Sequence, residues 1–104
     1  MSAGVTVTVA WHLKPESIDT FVATLKEMFK LAKLRPGFRS IRLLRGDIDK
    51  NRFVLLEEWD EAQNFHDYVQ FRTDRGELEA FLSMVTEPPQ IGIWNQDPLA
   101  GAQG

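Results

Sequence analysis

From Val5 to Leu13 apolar and polar residues alternate, with Val5, Val7, Val9, Trp11 and Leu13 on one side and Thr6, Thr8, Ala10 and His12 on the other. Period two is the pattern of a strand with one buried face. Lys14-Pro15-Glu16 breaks it, and a proline there suits the first turn of a helix. From Ile18 the apolar positions advance by threes and fours through Phe21, Val22, Leu25, Met28, Phe29 and Ala32. This predicts one amphipathic helix with its lysines outside, stopped by Pro36-Gly37. Two strands follow, at about Phe38–Arg45 and Arg52–Trp59, joined by a turn-rich segment at 46–51. The simplest antiparallel register sets Arg45 opposite Arg52, Arg39 opposite Glu58 and Phe38 opposite Trp59, with Ser40 facing Glu57. A slip of one residue would exchange the faces.

Asp60-Glu61-Ala62-Gln63 reads as a capping box with Asp60 as N-cap. The helix it opens turns Ala62, Phe65 and Val69 inward, and a second, short helix carries Leu78, Phe81, Leu82 and Val85. Glu87-Pro88-Pro89 ends that helix, and Gln90–Trp94 makes a last strand. One domain is therefore expected over residues 1–95, followed by a tail at 96–104 with nothing to pack and expected to be disordered. The order β-α-β-β-α-α-β predicts a ferredoxin-like α+β fold, an antiparallel sheet with its helices on one face. Phe53-Val54-Leu55-Leu56 is apolar on both sides, so the face without helices also needs a dry neighbour. A second copy packed sheet against sheet would supply it, which predicts a homodimer.

Composition removes several classes. The 104 residues contain no cysteine, which excludes disulfides, thiolate metal sites and cysteine nucleophiles. No apolar run reaches membrane-spanning length and no leader pattern opens the chain, so the expectation is a cytoplasmic protein that does not contact membrane. The charge of −3 divides unevenly: residues 1–52 are net +5 and residues 53–104 net −8. The cations are dispersed along a helix surface and a strand beside the acidic half, so they pair internally, and nucleic-acid binding is not expected. No phosphate loop or dinucleotide fingerprint is present, and neither histidine has a partner at metal-ligand spacing.

Candidate chemistry concentrates between Phe53 and Gly76. An apolar strand ends in Glu57-Glu58-Trp59, and the helix after it carries His66, Tyr68, Phe71 and Arg72. Trp59 either closes the core or faces a ligand. Tyr68 needs a partner for its hydroxyl if buried. His66 is a candidate general base or a solvated surface residue, and His12 is open to the same two readings. Glu57 and Glu58 are candidate bases if burial raises their pKa. Arg72 either anchors an anionic substrate or pairs with Glu57, Glu58 or Glu79.

The opening strand, the Lys14-Pro15 step, Pro36-Gly37-Phe38, Glu57-Glu58-Trp59, Tyr68-Val69-Gln70-Phe71-Arg72 with Gly76, and Pro88-Pro89 together resemble the antibiotic biosynthesis monooxygenase superfamily of dimeric α+β barrels. The resemblance covers about Val5 to Trp94. It implies oxidation of a phenolic, quinol or anthrone-like aromatic by O2 without flavin, haem or metal. In such chemistry the protein supplies a dry cavity, a proton acceptor and dipoles that hold the anion. The catalytic candidates are then His66, Glu57, Glu58 and Tyr68, and the substrate-binding candidates Trp59, Tyr68, Phe71 and Arg72. Tyr68 stands where many members carry a histidine. Leu55 stands where some place an asparagine, four residues before the tryptophan. A haem-degrading branch uses a first-strand asparagine and a histidine ten residues after the tryptophan. Here the first strand offers Thr6, Thr8 and His12, and the tenth residue is Val69, so haem degradation is not implied. The alternative function is a non-catalytic ligand-binding or sensor dimer of the same fold; a purely structural module is the third.

Overall fold

The computed structural model describes residues 3–95. The tail at 96–104 lies outside the described residues. The elements run β1 (Val5–His12), a short 3-10 turn (Pro15–Ser17), α1 (Ile18–Ala32), β2 (Phe38–Arg45), β3 (Arg52–Trp59), α2 (Ala62–Asp74), α3 (Glu77–Leu82) and β4 (Gln90–Trp94). The four strands form one sheet in the order β2-β3-β1-β4, and every neighbouring pair is antiparallel. This is the ferredoxin-like α+β architecture that the element order predicts.

The period-two faces of β1 and β3 decide where the core lies. Val7, Val9, Trp11 and Leu13 are buried on β1, and Phe53, Leu55, Glu57 and Trp59 on β3. Val7 pairs with Glu57 and Val9 with Leu55, so the two buried rows lie side by side on the helix-covered face. From α1, Phe21, Leu25 and Ala32 pack down onto them. Phe21 stands with its ring centroid 5.4 Å from Trp11, 5.6 Å from Phe53 and 5.8 Å from Phe81. Offset and edge-on aromatic contacts of this kind add to the stabilisation from area burial alone.

Several local readings are corrected. The β2–β3 register begins with Phe38 opposite Trp59, but a bulge at Arg39 then sets Ser40 opposite Glu58 and Ile41 opposite Glu57. The extra residue lets both Phe38 and Ile41 face the core, which strict alternation forbids. Arg39, swung out at the bulge, donates from Nε to Asp60 Oδ1 at 2.6 Å rather than meeting Glu58. The N-cap of α2 is Glu61, not Asp60. Asn64 Oδ1 accepts from the Glu61 backbone N–H at 2.9 Å, and the Glu61 side chain accepts from the Asn64 N–H. The inward face of α2 carries Phe65 and, half-buried, Val69, as the pattern predicts, and adds the buried Tyr68 and Arg72, while Ala62 is half-buried. Val85 lies beyond α3, bridged to Leu13.

Gly37 sits at φ +79°, and a Cβ there would fall 2.2 Å from the Asn64 side chain. Its backbone oxygen accepts from Asp60 N–H at 2.8 Å. A bare backbone at this point thus lets the start of β2 press against the cap of α2, which fixes the helix over the end of β3.

Candidate functional site

Between α1, α2, α3 and the sheet lies a cavity of about 110 Å³. Its sheet-side wall includes Val9, Trp11, Ile41, Leu55 and Glu57. The helices contribute Met28 and Phe29, then Phe65, Tyr68 and Arg72, then Glu77, Leu78 and Phe81. Leu78 and Ile91, which are exposed, stand at its mouth. Amid these apolar walls, Glu57 and Arg72 are the only buried charged groups among the described residues.

Strand alternation explains Glu57. It occupies a core-facing position of β3, between Leu55 and Trp59, and is 3% exposed. Desolvation raises its carboxyl pKa from 4.5 to about 7. The opposing influence is a hydrogen bond from Trp59 Nε1–H to Glu57 Oε1 at 2.9 Å, which favours the carboxylate. A carboxyl held near neutrality can accept and return a proton at physiological pH.

Tyr68 comes over the sheet one helical turn after Phe65. Its ring centroid is 5.3 Å from that of Trp59. Burial raises the Tyr68 hydroxyl to about 12; Arg72 opposes that shift, while Glu57 and Glu77 add to it. The phenol therefore stays protonated at neutral pH. Arg72 follows one turn further, 5% exposed, with its guanidinium carbon 5.6 Å from the Tyr68 ring centroid. Glu77 Oε2 lies 3.1 Å from Arg72 Nε, an ion pair by distance. Yet Nε, Nη1 and Nη2 of Arg72 all lack a hydrogen-bond partner. Glu77 is shared with Arg75, whose Nε donates to the same oxygen at 3.1 Å. The ion pair therefore neutralises part of the charge on Arg72 and leaves its directional N–H groups unspent.

The structure thus brings Glu57, Tyr68 and Arg72 together on the cavity wall. Trp59 is fully buried, in contact with Tyr68 and hydrogen-bonded to Glu57, but does not itself line the cavity. His66 is exposed on α2, outside the cavity wall, and Glu58 is exposed on β3. Glu58 faces away from Glu57 across the sheet by strand alternation. Phe71 lies outside the wall, with the guanidinium carbons of Arg35 and Arg75 at 4.5 and 5.5 Å from its ring centroid. His12 joins the hairpin at 46–51 to the loop before β4, through Asp49 at 3.1 Å and Thr86. Among the described residues no group of three or more His, Cys, Asp or Glu is placed to hold a metal ion. No helix among them is long and apolar enough to cross a membrane.

Sequence reasoning missed Glu77 as the partner of Arg72. The two are five residues apart, off helical spacing, and meet because Gly76 at φ +75° reverses the chain between α2 and α3. It also left Met28 and Phe29 as plain core, although their apolar stripe gave the only signal available. Which part of a buried stripe is left unfilled depends on the opposing elements.

Comparison with the curated proteins gives no match. Solved structures match over most of the chain at low identity, which speaks to fold. A conserved protein from Methanosarcina mazei Go1 superposes with TM-score 0.83 at 14% identity, covering 90% of this chain and 93% of the other. SnoaB, a cofactor-independent oxygenase from Streptomyces nogalater, gives TM-score 0.77 at 17% identity over 91% of this chain and 94% of its own. A monooxygenase from the gene ActVA-Orf6 of Streptomyces coelicolor, in complex with the ligand nanaomycin D, gives 0.74 at 19% over 90% and 88%. The family model described as antibiotic biosynthesis monooxygenase matches residues 4–73, from the residue before β1 to the penultimate residue of α2, and so takes in Glu57, Trp59, Tyr68 and Arg72. With the fold, that match places the chain in the antibiotic biosynthesis monooxygenase family.

Proposed function

We propose that the chain is a cofactor-independent monooxygenase acting on a small phenolic, quinol or anthrone-like aromatic, with Glu57 as the proton acceptor. The observation that carries this is a buried carboxyl with its pKa raised to about 7, on the wall of an apolar, aromatic-lined cavity. Family membership and the two oxygenases of the same fold support the reaction type.

The residues divide the work. The aromatic lies in the cavity against Tyr68, and apolar walls exclude water from it. Glu57 takes the acidic proton. Trp59 holds the carboxylate by its Nε1–H and keeps it oriented. The substrate anion forms in a low-dielectric site where the Tyr68 hydroxyl and the Arg72 cation stabilise it. The electron-rich anion then reduces O2 itself. One oxygen atom enters the substrate at a former C–H carbon, the other leaves as water, and both hydrogens of that water come from the substrate.

Oxygen uptake by the purified protein, across hydroquinones, catechols and anthrones, tests this. An active substrate should give a rate that rises through an apparent pKa near 7. In Glu57→Gln that rate should fall by roughly a hundred- to ten-thousand-fold. Uptake unchanged in Glu57→Gln would move the base elsewhere. No uptake with any aromatic would favour the ligand-binding dimer, to which the apolar Leu55 on the cavity wall already points.

A further inference from the structure

The cavity wall is almost wholly apolar, and its polar side chains are Trp11, Glu57, Tyr68, Arg72, Thr73 and Glu77. Trp11 Nε1 and the three guanidinium nitrogens of Arg72 are sealed in protein, without accessible surface. Arg72 therefore reaches the cavity through its charge alone and offers a ligand no hydrogen bond. The Thr73 hydroxyl donates to the Val69 carbonyl at 2.8 Å. Glu77 is committed to Arg72 and Arg75 and reaches solvent. That leaves the Tyr68 hydroxyl and one oxygen of Glu57. Trp59 Nε1–H occupies Glu57 Oε1 at 2.9 Å, and an indole can only donate. When Glu57 is protonated, its proton therefore sits on the free oxygen, Oε2. The groups facing Glu57 leave that oxygen to titrate by itself. Its strand partners Val7 and Ile41, and Met28 and Phe29 of α1, carry no charge; α2 brings Tyr68 and Arg72, and α3 brings Glu77. Tyr68 keeps its proton up to about pH 12, whereas burial sets Glu57 to change near pH 7. Around neutrality Oε2 thus changes from donor to acceptor while the Tyr68 hydroxyl does not.

We propose that this cavity takes an uncharged aromatic and distinguishes a hydroxyl from a carbonyl on it: ionised Glu57 accepts from the hydroxyl, and protonated Glu57 donates to the carbonyl. An acid is rejected, because its carboxylate would lose water to an apolar wall and face a second carboxylate. The inference rests on the cavity being the functional site and names the charge and hydrogen-bonding class of its ligand. Within the oxygenase reading, both hydrogens lost by the substrate leave in water, so turnover ends with Glu57 as the carboxylate it began as. A phenol oxidised to a quinone then presents a carbonyl to a group that cannot donate. Above neutral pH this favours exchange of product for substrate, and below it the product is retained.

Calorimetric titration of the full chain without oxygen, at pH 5.5 and pH 8.5, tests it with 4-ethylphenol, acetophenone, ethylbenzene and benzoate. At pH 8.5 the phenol should bind at least about tenfold more tightly than the ketone, since a hydrogen bond to a charge outweighs a neutral one and the ketone meets no donor on Glu57. At pH 5.5 that gap should close or reverse. Ethylbenzene should bind equally at both, and benzoate more weakly than acetophenone at pH 8.5. Near pH 7, in buffers of different ionisation heat, the phenol should release protons on binding and the ketone should take them up. In Glu57→Gln, whose amide donates and accepts at any pH, the ratio of the two affinities should be the same at both pH values. Proton release and uptake are measured on the wild type, so they decide the matter if that variant does not fold. A wild-type ratio that is constant with pH, a change that persists in Glu57→Gln, or benzoate as the tightest ligand at pH 8.5 would overturn the proposal. So would no binding of either phenol or ketone at millimolar concentration. Oxygen uptake separates the two readings. A ratio that shifts with pH, without uptake on any aromatic, would leave the ligand class standing and remove the oxygenase. Glu57-dependent uptake with a constant ratio would do the reverse.

Discussion

At the scale of single residues, Glu57 is where the proposed function and stability conflict. Below about pH 4.5 its carboxyl is protonated in folded and unfolded chains alike and costs nothing. As pH rises from 4.5 to about 7 the unfolded chain releases the proton while the folded chain keeps it, so stability falls with rising pH. Above that window the penalty is complete, at most about 3 kcal/mol. Glu57→Gln keeps an acceptor for Trp59 and cannot ionise. It should therefore unfold at higher urea concentration than the wild type at pH 8, and with no difference at pH 4. Trp59 offers a companion test. Its hydrogen bond lowers the pKa of Glu57, so in Trp59→Phe the acidic limb of kcat/KM against pH should move upward. KM should change little, because Trp59 does not line the cavity. A stationary limb would mean that Trp59 does not tune the base.

At the scale of elements, the site depends on how α2 is seated. The helix carries Tyr68 and Arg72, and its cap meets the turn before β2 at Gly37. Both Gly37 and Gly76 have positive φ, but a Cβ at Gly37 would strike Asn64 while one at Gly76 would meet nothing within 4 Å. Gly76→Ala should cost only the left-handed backbone, about 1–2 kcal/mol. Gly37→Ala should cost about 2–4 kcal/mol, because strain and loss of the Asn64 cap combine. Urea unfolding of the two variants side by side checks the difference. The same comparison shows how far the cap of α2 governs the position of Tyr68, read as Trp fluorescence of the folded state.

At the scale of the whole molecule, the helix-free face of the sheet is unfinished. Strand pairing places Thr8, Leu56 and Arg42 in one row across it, and Ala10, Val54 and Leu44 in the next. Leu44 is 44% exposed, and Trp94, whose Nε1 donates to Thr8 Oγ1 at 2.8 Å, is 58% exposed. We propose that a second copy of the chain covers this face. Sedimentation of the 11.9 kDa chain at micromolar concentration should give about twice that mass. Leu44→Lys, at a position that the single chain leaves open, should return it to the monomer without unfolding. A wild type that sediments as a monomer would mean that the face needs no cover.

The element order, the antiparallel sheet with helices on one face and the limits of β2 and β3 were legible because they follow from local periodicity, which side-chain geometry imposes on each segment alone. The buried row of β1 was legible for the same reason. The register of β2 was not, since a bulge is chosen by what Phe38 and Ile41 must both bury, a property of the facing elements. The cap of α2 moved by one residue because the chain leaving β3 at Asp60 is tied to Gly37, far away in sequence. The sequence by itself named Glu57, Tyr68 and Arg72 but left each beside other candidates, since residue type sets what a group can do and not where it is desolvated. Only the packing of helices on the sheet put Glu57 inside and Glu58 outside, placed Trp59 behind the carboxyl, and buried Arg72 beside Glu77. Burial and partnership belong to the assembled elements, and they set Glu57 and Arg72 apart from the other charged residues of the chain.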